Sequence, residues 1–183
     1  MPDEGIMMCK TTDPFGKWSE PAYVRKVVGW IDPCPFWDED GKAYMVTAFA
    51  RSRIGFKSML YMSPIEPDCS GVLDDGQFIY DGHATQPTIE GPKLYKRNGY
   101  YYIFAPAGGV KPGWQTVLRS KIFTVPGKRK SSCIRGILLS TDLTRVPGWI
   151  RRTDRTGSCI SRMWAMRDVS YIYSPCTGKT TGR

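Results

Sequence analysis

An internal repeat constrains the fold of this chain more than any other feature. Residues 88–104 echo residues 30–46, 58 positions earlier. Each copy has one acid near its head, Asp32 or Glu90. Counted from that acid, four residue types recur at matched positions: an apolar residue (Phe36, Leu94), an aromatic one (Trp37, Tyr95), a glycine (Gly41, Gly99) and a tyrosine (Tyr44, Tyr102). A chain that repeats in this way folds as repeated supersecondary units.

Each copy predicts a β-hairpin, because Asp-Gly at residues 40–41 and Asn-Gly at residues 98–99 supply the positive φ that hairpin turns need. Further strands are predicted at 5–10, 57–62, 77–80 and 114–119, and no run of helical periodicity precedes residue 121. Units of about 50–60 residues with four short antiparallel strands are typical of β-propeller blades. The sequence therefore predicts an all-β fold in which residues 1–121 form about two blades of a propeller.

Charge divides the chain at residue 121. Residues 1–121 hold 14 Lys plus Arg and 14 Asp plus Glu, whereas residues 122–183 hold 12 and 3, so the formal charge of +9 lies in the last third. A basic tail usually indicates binding to nucleic acid or to an anionic surface. That interpretation would make residues 128–167 a nucleic-acid-binding module.

A reading-frame error explains the same tail better. If residues 120–123 are encoded AGC AAA ATA TTT, one additional A gives Ser-Lys-Asn-Ile. With permissible codons the rest of the tail then reads as an acid-containing, alternating sequence that includes HLQPMHWK. We therefore predict two segments, a partial propeller catalytic domain at 1–121 and an irregular, frameshifted tail at 122–183, and no nucleic-acid partner.

The motifs WIDPCPFWDEDGKAYMV, TIEGPKLYKRNGYYYIF, APAGG and TVLRSK together resemble family 43 of the glycoside hydrolases. The family consists of five-bladed propellers and includes β-xylosidases and α-L-arabinofuranosidases. The resemblance covers nearly all of residues 1–121 and implies a partial five-bladed propeller. It also implies that Glu90 is the general acid, that Asp32 modulates its pKa, and that the substrate is an oligosaccharide or aryl glycoside of xylose or arabinose.

The chemistry agrees with these roles. Cleavage with inversion needs a protonated carboxyl for the leaving oxygen and a carboxylate that activates water on the opposite face of the sugar. A glutamate stays protonated near neutrality if burial or a nearby negative charge raises its pKa, and Asp32 can supply that charge. The alternative is structural, because an acid before proline or Gly-Pro is often a turn residue that binds nearby backbone.

The general base is expected to be missing. In the family it is an aspartate of the first blade, and this chain begins with a strand that would follow that blade. We therefore expect the chain by itself to be inactive although the parent enzyme is a glycosidase. A propeller that binds sugar without catalysis is the alternative that a missing base would suit.

Other residues carry weaker signals. Trp30 and Trp114 are candidates for stacking on a sugar, although tryptophans in propellers more often pack between blades. His83, the single histidine, is expected in a solvated loop. No cofactor or metal is predicted, since the sequence has no HExxH, Walker loop, dinucleotide fingerprint or zinc-type cysteine spacing. No membrane partner is predicted either. The three cysteines before residue 121 are irregularly spaced, which argues against a disulfide framework.

Overall fold

The structure is a computed structural model that describes residues 2–111 and 113–121, together with the backbone of Ile137–Ser140. In this part of the chain the secondary structure is almost entirely β. The strands are β1 (Ile6–Met8), β2 (Ala22–Arg25), β3 (Trp30–Trp37), β4 (Ala43–Phe49), β5 (Met59–Ile65), β6 (Gln77–Asp81), β7 (Lys93–Arg97), β8 (Tyr100–Ala107), β9 (Trp114–Ser120) and β10 (Ile137–Ser140). One short helix, α1 (Arg51–Ile54), lies between β4 and β5.

The strands form three antiparallel sheets. Strands β3 to β6 make one four-stranded sheet, here called blade A, and β7 to β10 make a second, here called blade B. In both blades each strand pairs with the next one along the chain. Strands β1 and β2 form a separate two-stranded sheet. The predicted all-β architecture of propeller blades is thereby confirmed.

The two predicted hairpins are the first pair of strands in each blade. In blade B the turn residues Asn98 and Gly99 have φ angles of 51° and 73°, the pair of positive values that a two-residue hairpin turn requires. In blade A the turn is closed by a hydrogen bond of 2.8 Å from the backbone N–H of Asp38 to the carbonyl of Lys42. Gly41 takes the positive φ, 82°.

Strand β4 lies at the centre of the core, and all seven of its residues are buried. Alternate side chains of a strand point to opposite faces of the sheet, and β4 accordingly contributes to two apolar clusters. Tyr44, Val46 and Ala48 belong to the cluster shared with blade B, and Ala43, Met45 and Phe49 to the cluster shared with β1 and β2. Blade A is therefore packed on both faces.

The sequence did not predict two of the strands. Strand β2 has four residues, too few to show an alternating pattern, and the structure fixes it by pairing with β1. Strand β10 pairs with β9 and completes blade B from beyond residue 121. Residues 122–136 and 141–183 lie outside the described part of the chain, so the boundary at 121 and the frameshift remain predictions.

No helix among the described residues is long and apolar enough to cross a membrane.

Candidate active site

Asp32 lies at an irregularity in the first strand pair of blade A. The register of β3 against β4 shifts between Ile31 and Cys34, so Asp32 and Pro33 form a bulge. Asp32 has a φ of 52°, a left-handed conformation that is uncommon for a residue other than glycine. Bulges redirect side chains near functional sites, and this one accompanies a bond from Asp32 to the loop that precedes blade B. Its Oδ2 accepts a 2.9 Å hydrogen bond from the backbone N–H of Gly91.

Glu90 lies in the loop between β6 and β7, next to that bond. Its own backbone N–H donates to the carbonyl of Pro106 at 3.0 Å, and the preceding residue, Ile89, is buried in the core between the blades. Gly91 has a φ of 58°, which glycine adopts without strain. The backbone on both sides of Glu90 is thus fixed, while the side chain is partly covered and partly open to solvent.

The surroundings of Glu90 favour its protonated form. Partial burial of the carboxyl raises the pKa of Glu90 above its ordinary value, and the negative charge of Asp32 raises it further. The positive charge of Lys57 acts in the opposite direction. Glu90 therefore keeps its proton to a higher pH than an isolated glutamate, as a general acid must.

Two residues that the sequence did not single out hold the loop on the other side of Glu90. The Lys57 Nζ donates to Oγ1 of Thr88 at 2.8 Å, and the Thr88 backbone N–H donates to Oγ of Ser58 at 2.7 Å. Thr88 and Ser58 both have positive φ, 59° and 64°. No motif marked residues 57 and 58, because their role depends on a contact with a loop thirty residues away.

Trp114 is attached to the same loop by a buried amide. The side-chain oxygen Oε1 of Gln86, a fully buried residue, accepts hydrogen bonds from Nε1 of Trp114 at 2.6 Å and from Oγ1 of Thr116 at 2.5 Å. A Cβ on Gly108 would lie 2.3 Å from the Trp114 ring, so only glycine fits beneath it. The Trp114 ring is half-buried, and it packs against the core between the blades.

Trp30 and His83, the other two candidates from the sequence, have contacts of their own. Trp30 is only 8% exposed and packs against Phe49 and Tyr61, with the guanidinium of Arg25 over its ring. Since these contacts cover the indole, its placement does not support the expected sugar contact. His83 is exposed, and its Nδ1 lies 2.6 Å from Oδ1 of Asp81.

Side chains of the described residues could share a metal ion only if they lay close together. Within residues 2–111 and 113–121, no group of three or more His, Cys, Asp or Glu side chains is placed to hold a metal ion.

Comparisons with known proteins identify the family of this chain. The family model of glycosyl hydrolases family 43 matches residues 1–135. A Xylanibacter ruminicola protein named "Putative beta-xylosidase" is 43% identical over 129 residues, which cover 70% of this chain and 23% of that protein. A Butyrivibrio fibrisolvens protein named "Xylosidase/arabinosidase" is 33% identical over 124 residues, covering 64% of this chain and 24% of that protein.

Among solved structures, the xylan beta-1,4-xylosidase from Bacillus halodurans C-125 superimposes with a TM-score of 0.56 and 27% identity, covering 69% of this chain and 24% of that one. The antiparallel blades and this superposition define the class of fold, a partial β-propeller. The chain belongs to glycosyl hydrolases family 43. It spans about a quarter of the length of these curated relatives.

Proposed function

We propose that this chain supplies the general acid, Glu90, and its pKa-modulating partner, Asp32, to an enzyme that hydrolyses xylose- or arabinose-containing glycans with inversion. The hydrogen bond from Gly91 to Asp32 carries the proposal. It holds the carboxylate of Asp32, from blade A, against the backbone of Gly91, the residue that follows Glu90 in the loop before blade B. The raised pKa of Glu90 supports the same assignment.

In this mechanism the protonated carboxyl of Glu90 donates its proton to the glycosidic oxygen as the bond to the sugar breaks. The charge of Asp32 disfavours a second negative charge on Glu90, so that the proton of Glu90 remains available until it is needed. A carboxylate on the opposite face of the sugar activates the attacking water. The resemblance implies that this base is an aspartate on another blade, and we propose that residues 1–183 by themselves do not turn over substrate.

The substrate class rests on the relatives. Their names refer to xylosides, xylan and arabinosides, which supports a pentose at the cleaved position and leaves the choice between the two sugars to assay. We propose that the half-buried ring of Trp114 offers its free part to the sugar, because Gln86 and Gly108 fix the ring close to the Glu90 loop. Aromatic rings are common in sites that bind apolar surfaces of ligands.

A chimera provides the test of the general acid. In it, the matching segment of the Xylanibacter ruminicola protein is replaced by residues 2–121 of this chain. Glu90→Gln should lower kcat/KM on xylobiose by about 10²–10⁴-fold, the usual contribution of a general acid. The loss on p-nitrophenyl xyloside or arabinofuranoside should be much smaller, because p-nitrophenolate leaves without being protonated.

Glu66→Gln is the matched control, since Glu66 is an exposed glutamate on the turn after β5. It should leave both activities unchanged. Equal losses on the two substrates would refute the acid role of Glu90, and retention of the anomeric configuration, followed by proton NMR of the released sugar, would refute inversion. Sugar binding without turnover in the unsubstituted chimera would favour the non-catalytic alternative.

A further inference from the structure

The turn before β5 approaches the Glu90 loop in a way that neither the repeat nor the resemblance predicts. Two consecutive residues of blade A bind one residue of the loop. Lys57 holds the side chain of Thr88 at 2.8 Å, and Ser58 holds its backbone N–H at 2.7 Å. Lys57 is half-buried and Ser58 is buried, so both bonds are shielded from water and are stronger than exposed ones.

The conformation of Thr88 shows what these bonds do. A β-branched residue with a φ of 59° is an outlier, because its branched side chain crowds the backbone in the left-handed region. Such strain persists only when the surroundings determine the conformation. Here Lys57 and Ser58 supply that determination, and Ser58 itself has a φ of 64°. Thr88 lies two positions before Glu90, so its dihedral angles determine the direction of the backbone that carries Glu90.

We propose that Lys57 and Ser58 form a positioning clamp, which holds Thr88 in its left-handed conformation and so aims the carboxyl of Glu90 at the leaving oxygen. The proposal rests on the general-acid role argued above. Lys57 has a second effect through its charge. Partial burial and the charge of Asp32 both raise the pKa of the Glu90 carboxyl. The charge of Lys57 lowers it. Lys57 thereby limits the effect of Asp32, so that Glu90 can release its proton as well as hold it.

Separate substitutions distinguish the hydrogen bond between Lys57 and Thr88 from the charge of Lys57. Lys57→Met removes both, whereas Thr88→Val removes the hydroxyl and keeps the charge of Lys57. In the chimera, each should lower kcat on xylobiose about tenfold or more, since small misplacements of a catalytic group are costly. Only Lys57→Met should also move the basic limb of the pH–rate profile to higher pH, because without the cation the pKa of Glu90 rises. Lys57→Arg should restore most of the rate and the original limb.

Lys42→Met is the matched control, because Lys42 is an exposed lysine paired with Asp40 in the turn of blade A. It should change neither kcat on xylobiose nor the basic limb of the pH–rate profile. The clamp is refuted if Lys57→Met leaves kcat unchanged, or if it lowers kcat without moving the limb and Lys57→Arg fails to rescue. The double variant Lys57→Met/Thr88→Val should lose little more activity than either single variant, and fully multiplicative losses would also contradict the clamp.

A direct titration separates this proposal from the general-acid assignment. The Glu90 resonance in chimera protein labelled with ¹³C at the glutamate carboxyls is assigned by comparison with Glu90→Gln. Lys57→Met should raise the pKa of that carboxyl. If it does so while Glu90→Gln remains active on xylobiose, the general-acid role fails and the influence of Lys57 on Glu90 stands. If the titration is unchanged, the charge effect of Lys57 fails whatever the role of Glu90.

Discussion

Oδ2 of Asp32 accepts a 2.9 Å hydrogen bond from the backbone N–H of Gly91, 59 residues further along the chain. Asp32 belongs to blade A and Gly91 to the loop that precedes blade B, and both residues have a positive φ. The bond therefore links the acids of the two repeat copies at the point where the sheets meet. It fixes the carboxylate of Asp32 at a position from which its charge raises the pKa of Glu90.

Replacing Asp32 tests that influence. Asp32→Asn keeps an oxygen that can accept the Gly91 N–H but removes the charge that raises the pKa of Glu90. Glu90 should then lose its proton at lower pH, so the basic limb of the chimera's pH–rate profile should shift downwards and the rate at pH 7 should fall by about tenfold or more. Asp81→Asn, at an exposed aspartate bonded to His83, is the control. An unshifted limb in Asp32→Asn would contradict a modulating role.

The buried amide of Gln86 predicts a coupled effect on stability. Gln86→Leu leaves the hydroxyl of the fully buried Thr116 without its partner, and the indole N–H of Trp114 loses its acceptor. The free energy of unfolding in urea should fall by about 1–3 kcal/mol, the usual penalty for a buried orphan group. Adding Thr116→Val should recover part of this loss, because both partners are then apolar. Additive losses would show that Gln86 and Thr116 contribute to stability independently.

A further contact between the blades involves the turn after β3. Asp38, in the turn of blade A, accepts bonds of 2.5 Å from Lys96 and Tyr101 of blade B. Partial burial acts to raise the pKa of Asp38, but the bonds from Lys96 and Tyr101 outweigh it and the pKa is lowered. A carboxylate with a lowered pKa stabilises the fold above its unfolded pKa, and this contribution disappears as pH falls through its folded value.

Asp38→Asn should therefore lower the melting temperature at pH 7, and the difference from the unsubstituted protein should shrink as pH falls below about 4, the ordinary range for aspartate. Asp40→Asn, which affects an exposed pair with Lys42, should have little effect at any pH, because exposed ion pairs contribute little to stability. A melting difference for Asp38→Asn that does not depend on pH would contradict the electrostatic origin.

The reading-frame hypothesis is tested on the nucleic acid. Resequencing the coding DNA across codons 118–125 should show one more A in the run that encodes Lys121 and Ile122. The corrected tail would then carry acids in place of the present excess of Lys and Arg. If the run is confirmed unchanged, the basic tail is genuine, and a steep salt dependence of DNA binding becomes the test of the nucleic-acid alternative.

The sequence by itself determined the elements that depend on local chemistry. Asn98-Gly99 and Gly41 specified the hairpin turns, because their backbone angles are strained for most other residues. Turn residues between short runs of strand-forming residues located most of the strands, and the repeat paired Asp32 with Glu90.

Only the tertiary structure decided which residues surround the pair. Trp30 and Trp114 were equal candidates in the sequence, yet packing buried the first against Phe49 and Tyr61 and left part of the second exposed. Lys57 reaches Thr88 only because blade A packs on blade B. Long-range contacts of this kind have no local signature, since they depend on how two sheets pack and not on the propensities of the residues that meet.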